Sequence, residues 1–159
     1  MASGLRAKHL NIYRVADRCF LNREMPCGVA LVGDLRVAVI SIAEGAQSLG
    51  ECALAVLKEA NREIAWPTDW KAQVQPLLDA AHMKTMRSFA KRAALVAVST
   101  DDDITFAIKL QAADGKGRGW YPGNFDLVAS NDASDVGSKI LEAFSYGDAR
   151  AKASKSDEE

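Results

Sequence analysis

The sequence has no long apolar run, no paired cysteine motif and no excess of charge of either sign, and each absence removes a class of protein. Nothing approaches the roughly 20 consecutive apolar residues that a membrane-spanning helix needs. Residues Met1 to Leu10 carry charges and His9 rather than a signal-type apolar segment, so a cytoplasmic protein without membrane contact is expected. Cys19, Cys27 and Cys52 are odd in number and lack Cys-x-x-Cys spacing, which fits neither a disulfide framework nor a zinc site and points to a reducing compartment. With 20 Lys and Arg against 21 Asp and Glu, the net charge of −1 supplies no broad attraction to nucleic acid.

Histidine is scarce as well, with only His9 and His82 available as a general base. His82 falls at an expected helix end, where the helix dipole favours a histidine for structural reasons alone. No His-Glu-x-x-His or Gly-x-Ser-x-Gly pattern occurs. The sequence therefore assigns no catalytic residue, no metal ligand and no cofactor site, and the expectation is a protein that is not an enzyme.

What is present is an ordinary globular composition, 48% hydrophobic and 26% charged over 159 residues. A chain of this length buries roughly two-thirds of its unfolded surface in one core. Apolar positions at Leu10, Ile12, Val15, Cys19, Phe20 and Leu21, then Val29 to Val32 and Leu35 to Ile42, read as extended structure. Gly33-Asp34 predicts a two-residue hairpin turn between the last two runs, making them adjacent antiparallel strands.

Ser48-Leu49-Gly50-Glu51 matches a capping box and predicts a helix from Leu49 to Arg62. A second helix is expected over Trp70 to Ala81, broken or kinked at Pro76, and a short basic one over Met83 to Arg92. Ala94 to Val98 and Ile104 to Leu110 read as strands joined by an acidic turn, and Phe125 to Ala129 as another. Ser134 would cap a last helix ending near Tyr146. Strands, helices, strands and a terminal helix give an α+β fold, an antiparallel or mixed sheet packed against several helices. One domain spans residues 1–146, followed by a flexible charged tail, 147–159.

Ser48-Leu49-Gly50 and Asp135-Val136-Gly137 echo one another, each with a glycine in a first helical turn, where a neighbouring element can approach closely. Two capped amphipathic helices can also look alike by chance.

Three surface features invite a functional reading. Gly115 to Gly119, with Lys116 and Arg118, offers backbone N–H groups and charge for an anion, yet it lacks Walker spacing and a following helix. A flexible loop is the simpler reading. Asp101, Asp102 and Asp103 form either a solvated turn or an acidic knob for a basic partner, and their replacement is expected to leave stability unchanged. Trp66, Trp70 and Trp120 suit either an interface anchor or an edge of the core. Lys84, Arg87, Lys91 and Arg92 make a positive stripe that is ordinarily a hydrated helix face.

The run Met86-Arg87-Ser88-Phe89-Ala90-Lys91-Arg92-Ala93-Ala94-Leu95-Val96-Ala97-Val98 precedes an acidic turn, a strand, a Gly-rich link and a closing helix with Asp135-Val136-Gly137 and Leu141-Glu142-Ala143-Phe144. With the Leu49-Gly50 helix and its Ala53-Leu54, these pieces cover residues 35–146 and resemble the immunity proteins of bacterial contact-dependent growth inhibition (CDI) systems. The resemblance implies a cytoplasmic monomer that binds the toxic C-terminal domain of its cognate effector, commonly a nuclease, in a one-to-one complex, without catalysis and without binding nucleic acid itself. Under that reading Asp101, Asp102, Asp103 and Asp126 mimic phosphate toward a basic cleft, Trp120 and Tyr121 are anchors, and an exposed sheet edge accepts a toxin strand. The near-neutral charge argues against a large phosphate-mimicking surface. The alternatives are a small enzyme or nucleotide-binding regulator using Gly115 to Gly119, and a nucleic-acid adaptor using Arg87, Lys91 and Arg118.

Overall fold

The computed structural model describes residues 7–27, 30–59, 66–113 and 120–157. Among these, seven strands form one antiparallel sheet: β1 (Lys8–Val15), β2 (Arg18–Cys27), β3 (Ala30–Gly33), β4 (Ala38–Ser41), β5 (Ala94–Thr100), β6 (Thr105–Ala113) and β7 (Trp120–Ser130). Four helices accompany them: α1 (Gly45–Lys58), α2 (Trp70–Ala81), α3 (Met86–Arg92) and α4 (Ala133–Asp157). The strand order is β3-β2-β1-β5-β6-β7, with β4 also paired to β2, so the α+β expectation holds.

The Gly33-Asp34 hairpin does not form. Ala30–Gly33 and Ala38–Ser41 both pair antiparallel with β2 and together make one interrupted edge strand. Leu21 sits opposite Ala38 and Glu24 opposite Gly33, which leaves Asn22 and Arg23 facing the four residues 34–37. The buried Asn22 amide fills that bulge, donating to the Asp34 and Arg36 carbonyls at 2.8 and 3.1 Å. A side chain on the neighbouring strand β2 thus supplies what a turn motif is expected to supply. The true first hairpin joins β1 to β2 through Ala16 and Asp17, with Ala16 at φ 55°.

The expected capping box is displaced by seven residues. Ser41-Ile42-Ala43-Glu44 carries the same pattern, and here the Ser41 hydroxyl accepts from the Ala43 N–H while the Glu44 carboxylate takes the Ser41 N–H at 3.2 Å. That box starts a single 3₁₀ turn that runs into α1, so Ser48 lies inside the helix. α1 ends at Lys58; its expected end at Arg62 falls outside the described residues. Helix α2 passes through Pro76 without interruption and closes on His82, an exposed left-handed C-cap. Thr85 caps α3 three residues later than expected.

Asp132, not Ser134, caps α4, accepting the Asp135 N–H at 3.1 Å. Asp135 reaches back to the Ser130 N–H at 2.8 Å and hydroxyl at 3.0 Å and forward to Lys139 at 2.9 Å. The backbone bond and these side-chain bonds hold its carboxyl down at about 2. A depressed carboxylate stabilises the fold above its unfolded value near 3.8 and loses that contribution as pH falls toward 2. Asp135→Asn is therefore expected to lower the melting temperature at pH 7, with the gap to the unaltered protein closing between pH 4 and pH 2 in thermal melts followed by circular dichroism.

α4 continues well past Tyr146, through Asp157. Phe125 stacks on Tyr146 at 3.9 Å, and Arg14 fixes the next turn, bonding Asp148 at 2.9 Å while lying over the Phe144 ring.

Alternation along the strands separates two cores. Leu10, Ile12, Leu21, Val96, Val98 and Ile108 face α1 and α4, meeting Leu49, Val136, Ile140 and Phe144. On the opposite face Tyr13, Phe20 and Leu95 meet Leu77 and Leu78 of α2 and Phe89 of α3. The glycine echo belongs to the first core. A Cβ on Gly50 would lie 1.7 Å from the Ala133 carbonyl oxygen, and one on Gly137 1.8 Å from the Ala46 carbonyl oxygen. α1 and α4 thus touch backbone to backbone near their N-termini, the glycine in the second turn of each meeting a first-turn carbonyl of the other.

Candidate functional site

Helices α2 and α3 cover only one end of their sheet face. The strand register puts His9 opposite Glu24, Asn11 opposite Asn22 and Ala97, and Lys109 opposite Asp126, all on the side of Tyr13 and Phe20. His9, Asn11, Glu24 and Ala97 are half-buried, Lys109 and Asp126 exposed, and Val128 is 64% exposed. Among the described residues, the middle of this sheet face rather than its edge is thus open.

Where α3 stops and the open face begins, a cavity of about 340 Å³ is lined by His9, Asn11, Tyr13, Glu24, Gln111 and Trp120, among others. Its shape follows from the sequence locally: His9, Asn11 and Tyr13 alternate with core-facing Leu10 and Ile12, so β1 presents three polar groups to one side. The Asn11 amide donates to the Glu24 carboxylate and, at 3.5 Å, to the Tyr13 hydroxyl. Burial, reinforced by the Glu24 charge, pushes the Tyr13 hydroxyl up to about 12. Tyr13 is therefore a neutral hydrogen-bonding group at any physiological pH. Trp120 forms the wall, its indole N–H donating to the Ala93 carbonyl at 3.3 Å and its ring 5.3 Å from Tyr13.

A second cavity, about 330 Å³, lies between the bulge and α1. Its charges satisfy one another: Arg23 pairs with Asp34 at 2.7 Å and with Glu59 at 3.1 Å, and Arg36 pairs with Glu59 at 3.3 Å. Nearby, burial pushes the Cys19 thiol up to about 11, against the opposing pull of Arg14, and raises Cys52 too. Neither is an activated nucleophile.

The residues singled out from sequence do not form one cluster. Asp101, Asp102 and Asp103 lie exposed in the β5–β6 turn, whereas Trp120 pairs with Ala113 at the far end of β6. That is eight strand steps, about 26 Å. Asp126 lies between them on the open face, and Tyr121 is in β7 with its side chain outside the described set. Residues 114–119, including the Gly115 to Gly119 loop, are outside the described residues altogether. Trp66 and Trp70, 59% and 50% exposed, form an edge-to-face pair at 5.5 Å.

The acidic turn has an internal order that its sequence does not reveal. The Asp102 carboxylate accepts the Ile104 and Thr105 N–H groups, both at 2.9 Å, which hold it below the usual carboxylate range. Asp103, at φ 60°, pairs with Lys8 at 3.0 Å. Replacement of all three aspartates should therefore not be neutral. Asp102→Ala is expected to lower the melting temperature by a few degrees and Asp101→Ala to leave it unchanged, as differential scanning fluorimetry would read directly.

No family model and no curated protein matches the sequence. Solved structures share its fold, among them the following two. A protein of unknown function from Neisseria meningitidis aligns over 89% of this chain and 95% of its own at a TM-score of 0.70 and 14% identity. A chain of a CdiA-CT/CdiI toxin and immunity complex from Yersinia pseudotuberculosis aligns over 88% of this chain and 97% of its own, with a TM-score of 0.66 and 15% identity. At such identities what is shared is the fold. Among the described residues no helix is long and apolar enough to cross a membrane.

Proposed function

We propose that this chain is a cytoplasmic immunity protein that binds a cognate bacterial toxin domain, of the CDI type, one to one and blocks it without catalysis. The observation that carries the reading is the near end-to-end likeness to a chain of a toxin and immunity complex, at matching lengths. The residue pattern over 35–146, which resembles immunity proteins of that type, supports the same reading. The toxin is taken to be a nuclease from that family's habit, and the open sheet face with its cavity is the surface available for it.

The test is affinity capture with the full chain against the proteins encoded by adjacent genes, followed by light scattering of the eluted complex. A stable one-to-one complex with the C-terminal domain of a large secreted effector is expected. Capture of none of these proteins, each soluble and folded, contradicts the reading.

A further inference from the structure

We propose that the cavity on the open sheet face seats an arginine side chain of the partner protein, its guanidinium on the Glu24 carboxylate and against the aromatic wall that Tyr13 and Trp120 form. This rests on the reading of the chain as a protein-binding module only for the identity of the molecule that carries the arginine.

The charge inventory points to a cation. Other carboxylates of comparable burial have one: Asp34 meets Arg23 at 2.7 Å, and Asp135 meets Lys139 at 2.9 Å. Glu24 is half-buried yet its bonded partner among the described residues is the neutral amide of Asn11. His9, directly across in register, is the one titratable nitrogen among the described residues that line the cavity. A carboxylate drawn partly out of water without a counter-charge is costly, and a cation that arrives with a partner removes that cost at the interface.

The rest of the lining suits a planar cation better than a compact one. Asn11 spends its N–H groups on Glu24 and Tyr13, which leaves its carbonyl oxygen as an acceptor, and Gln111 adds another amide. Tyr13 and Trp120, tilted at 56° with centroids 5.3 Å apart, give aromatic surface beside those acceptors. A guanidinium donates through several fixed N–H groups while stacking on such rings, whereas an ammonium is a strongly hydrated point charge. The volume, about 340 Å³, lies at the small end of binding pockets, enough for one side chain and not for a folded segment. The high hydroxyl pKa of Tyr13 agrees, because part of it arises from the unneutralised Glu24 charge.

The test needs no toxin. N-acetyl-L-arginine amide is titrated into the ¹⁵N-labelled full chain, with the lysine and citrulline amides as controls. Saturable shifts at the Asn11 and Gln111 side-chain amides and the Trp120 indole are expected for arginine. Citrulline, isosteric but neutral, and the Glu24→Gln variant should each weaken binding about tenfold or more, the size of a charge-assisted bond. Absent or scattered shifts, equal binding of citrulline or lysine, or indifference to Glu24→Gln would each overturn the assignment. Because citrulline is compared on the unaltered protein, the result stands even if the variant folds poorly. A chain that neutralises its toxin but ignores the arginine amide loses this inference and keeps the protective role; the converse result separates them the other way.

Discussion

Gly50→Ala is expected to lower the melting temperature by about 10 °C, and Gly137→Ala by a similar amount, although both replace glycine with the best helix former. Propensity alone predicts the opposite sign, a gain of about 1 kcal/mol for alanine in a helix interior. The contact decides it. The new methyl carbon would stand 1.7 Å from the Ala133 carbonyl oxygen in one case and 1.8 Å from the Ala46 carbonyl oxygen in the other, about half a normal separation. The atom struck is backbone, so no rotamer change relieves it and the helices must part. Overpacking of a flexible core costs about 1–3 kcal/mol, and this rigid case belongs at or above the top of that range. Parting the helices once relieves both clashes, so the double variant should fall well short of the sum. Gly147→Ala, whose nearest neighbour is the flexible end of Leu110 at 3.2 Å, is the control and should change little. Thermal melts that rise for Gly50→Ala would show that α1 and α4 do not meet here.

Phe89→Ala is the second large effect, expected to cost about 4 kcal/mol in urea unfolding. The ring is fully buried and stands edge-on to Tyr13 at 5.1 Å, to Phe20 at 6.5 Å and to Trp120 at 6.4 Å. It is the large side chain by which α3 grips the sheet, so its loss loosens the helical cover as well as the core. Trp120 then loses one neighbour of its wall, and tryptophan fluorescence should shift to the red before global unfolding begins. A loss under about 1 kcal/mol, with unshifted emission, would mean that α2 and α3 do not depend on this ring.

The parts of the fold that could be read from sequence are those written in local periodicity. Ala94 to Val98, Ile104 to Leu110 and the apolar positions of α4 announce where their elements begin within a residue or two, although β6 runs on to Ala113 and α4 to Asp157. Failures came where a distant residue decides a local outcome. Gly33-Asp34 looks like a turn, but the Asn22 amide, far back in the chain, turns it into a bulge. Two Ser-x-x-Glu patterns compete for one helix start, and the earlier wins because the chain leaves β4 there. The β1–β2 hairpin was hidden because Ala16 adopts a left-handed conformation that glycine or asparagine normally signals.

The site was less legible for the same reason. Charge-rich and aromatic segments drew attention to Asp101, Asp102, Asp103, Trp120, Tyr121 and Asp126, which are sequence-local signals. The cavity is instead assembled across five strands, from His9, Asn11 and Tyr13 of β1, Glu24 of β2, Ala97 of β5, Gln111 of β6 and Trp120 of β7. Of the predicted residues whose side chains are described, Trp120 alone lines it. The alternation of His9, Asn11 and Tyr13 with Leu10 and Ile12 was the one available clue, and it becomes informative only when β2 is placed alongside.

The most direct measurement of the protective role is growth of a susceptible bacterium expressing the toxin domain encoded beside this gene, with and without the full chain. Full restoration of growth by this chain, and none by an immunity protein from an unrelated toxin, is the predicted result. Continued killing despite abundant folded protein, with the toxin shown active, would contradict the account.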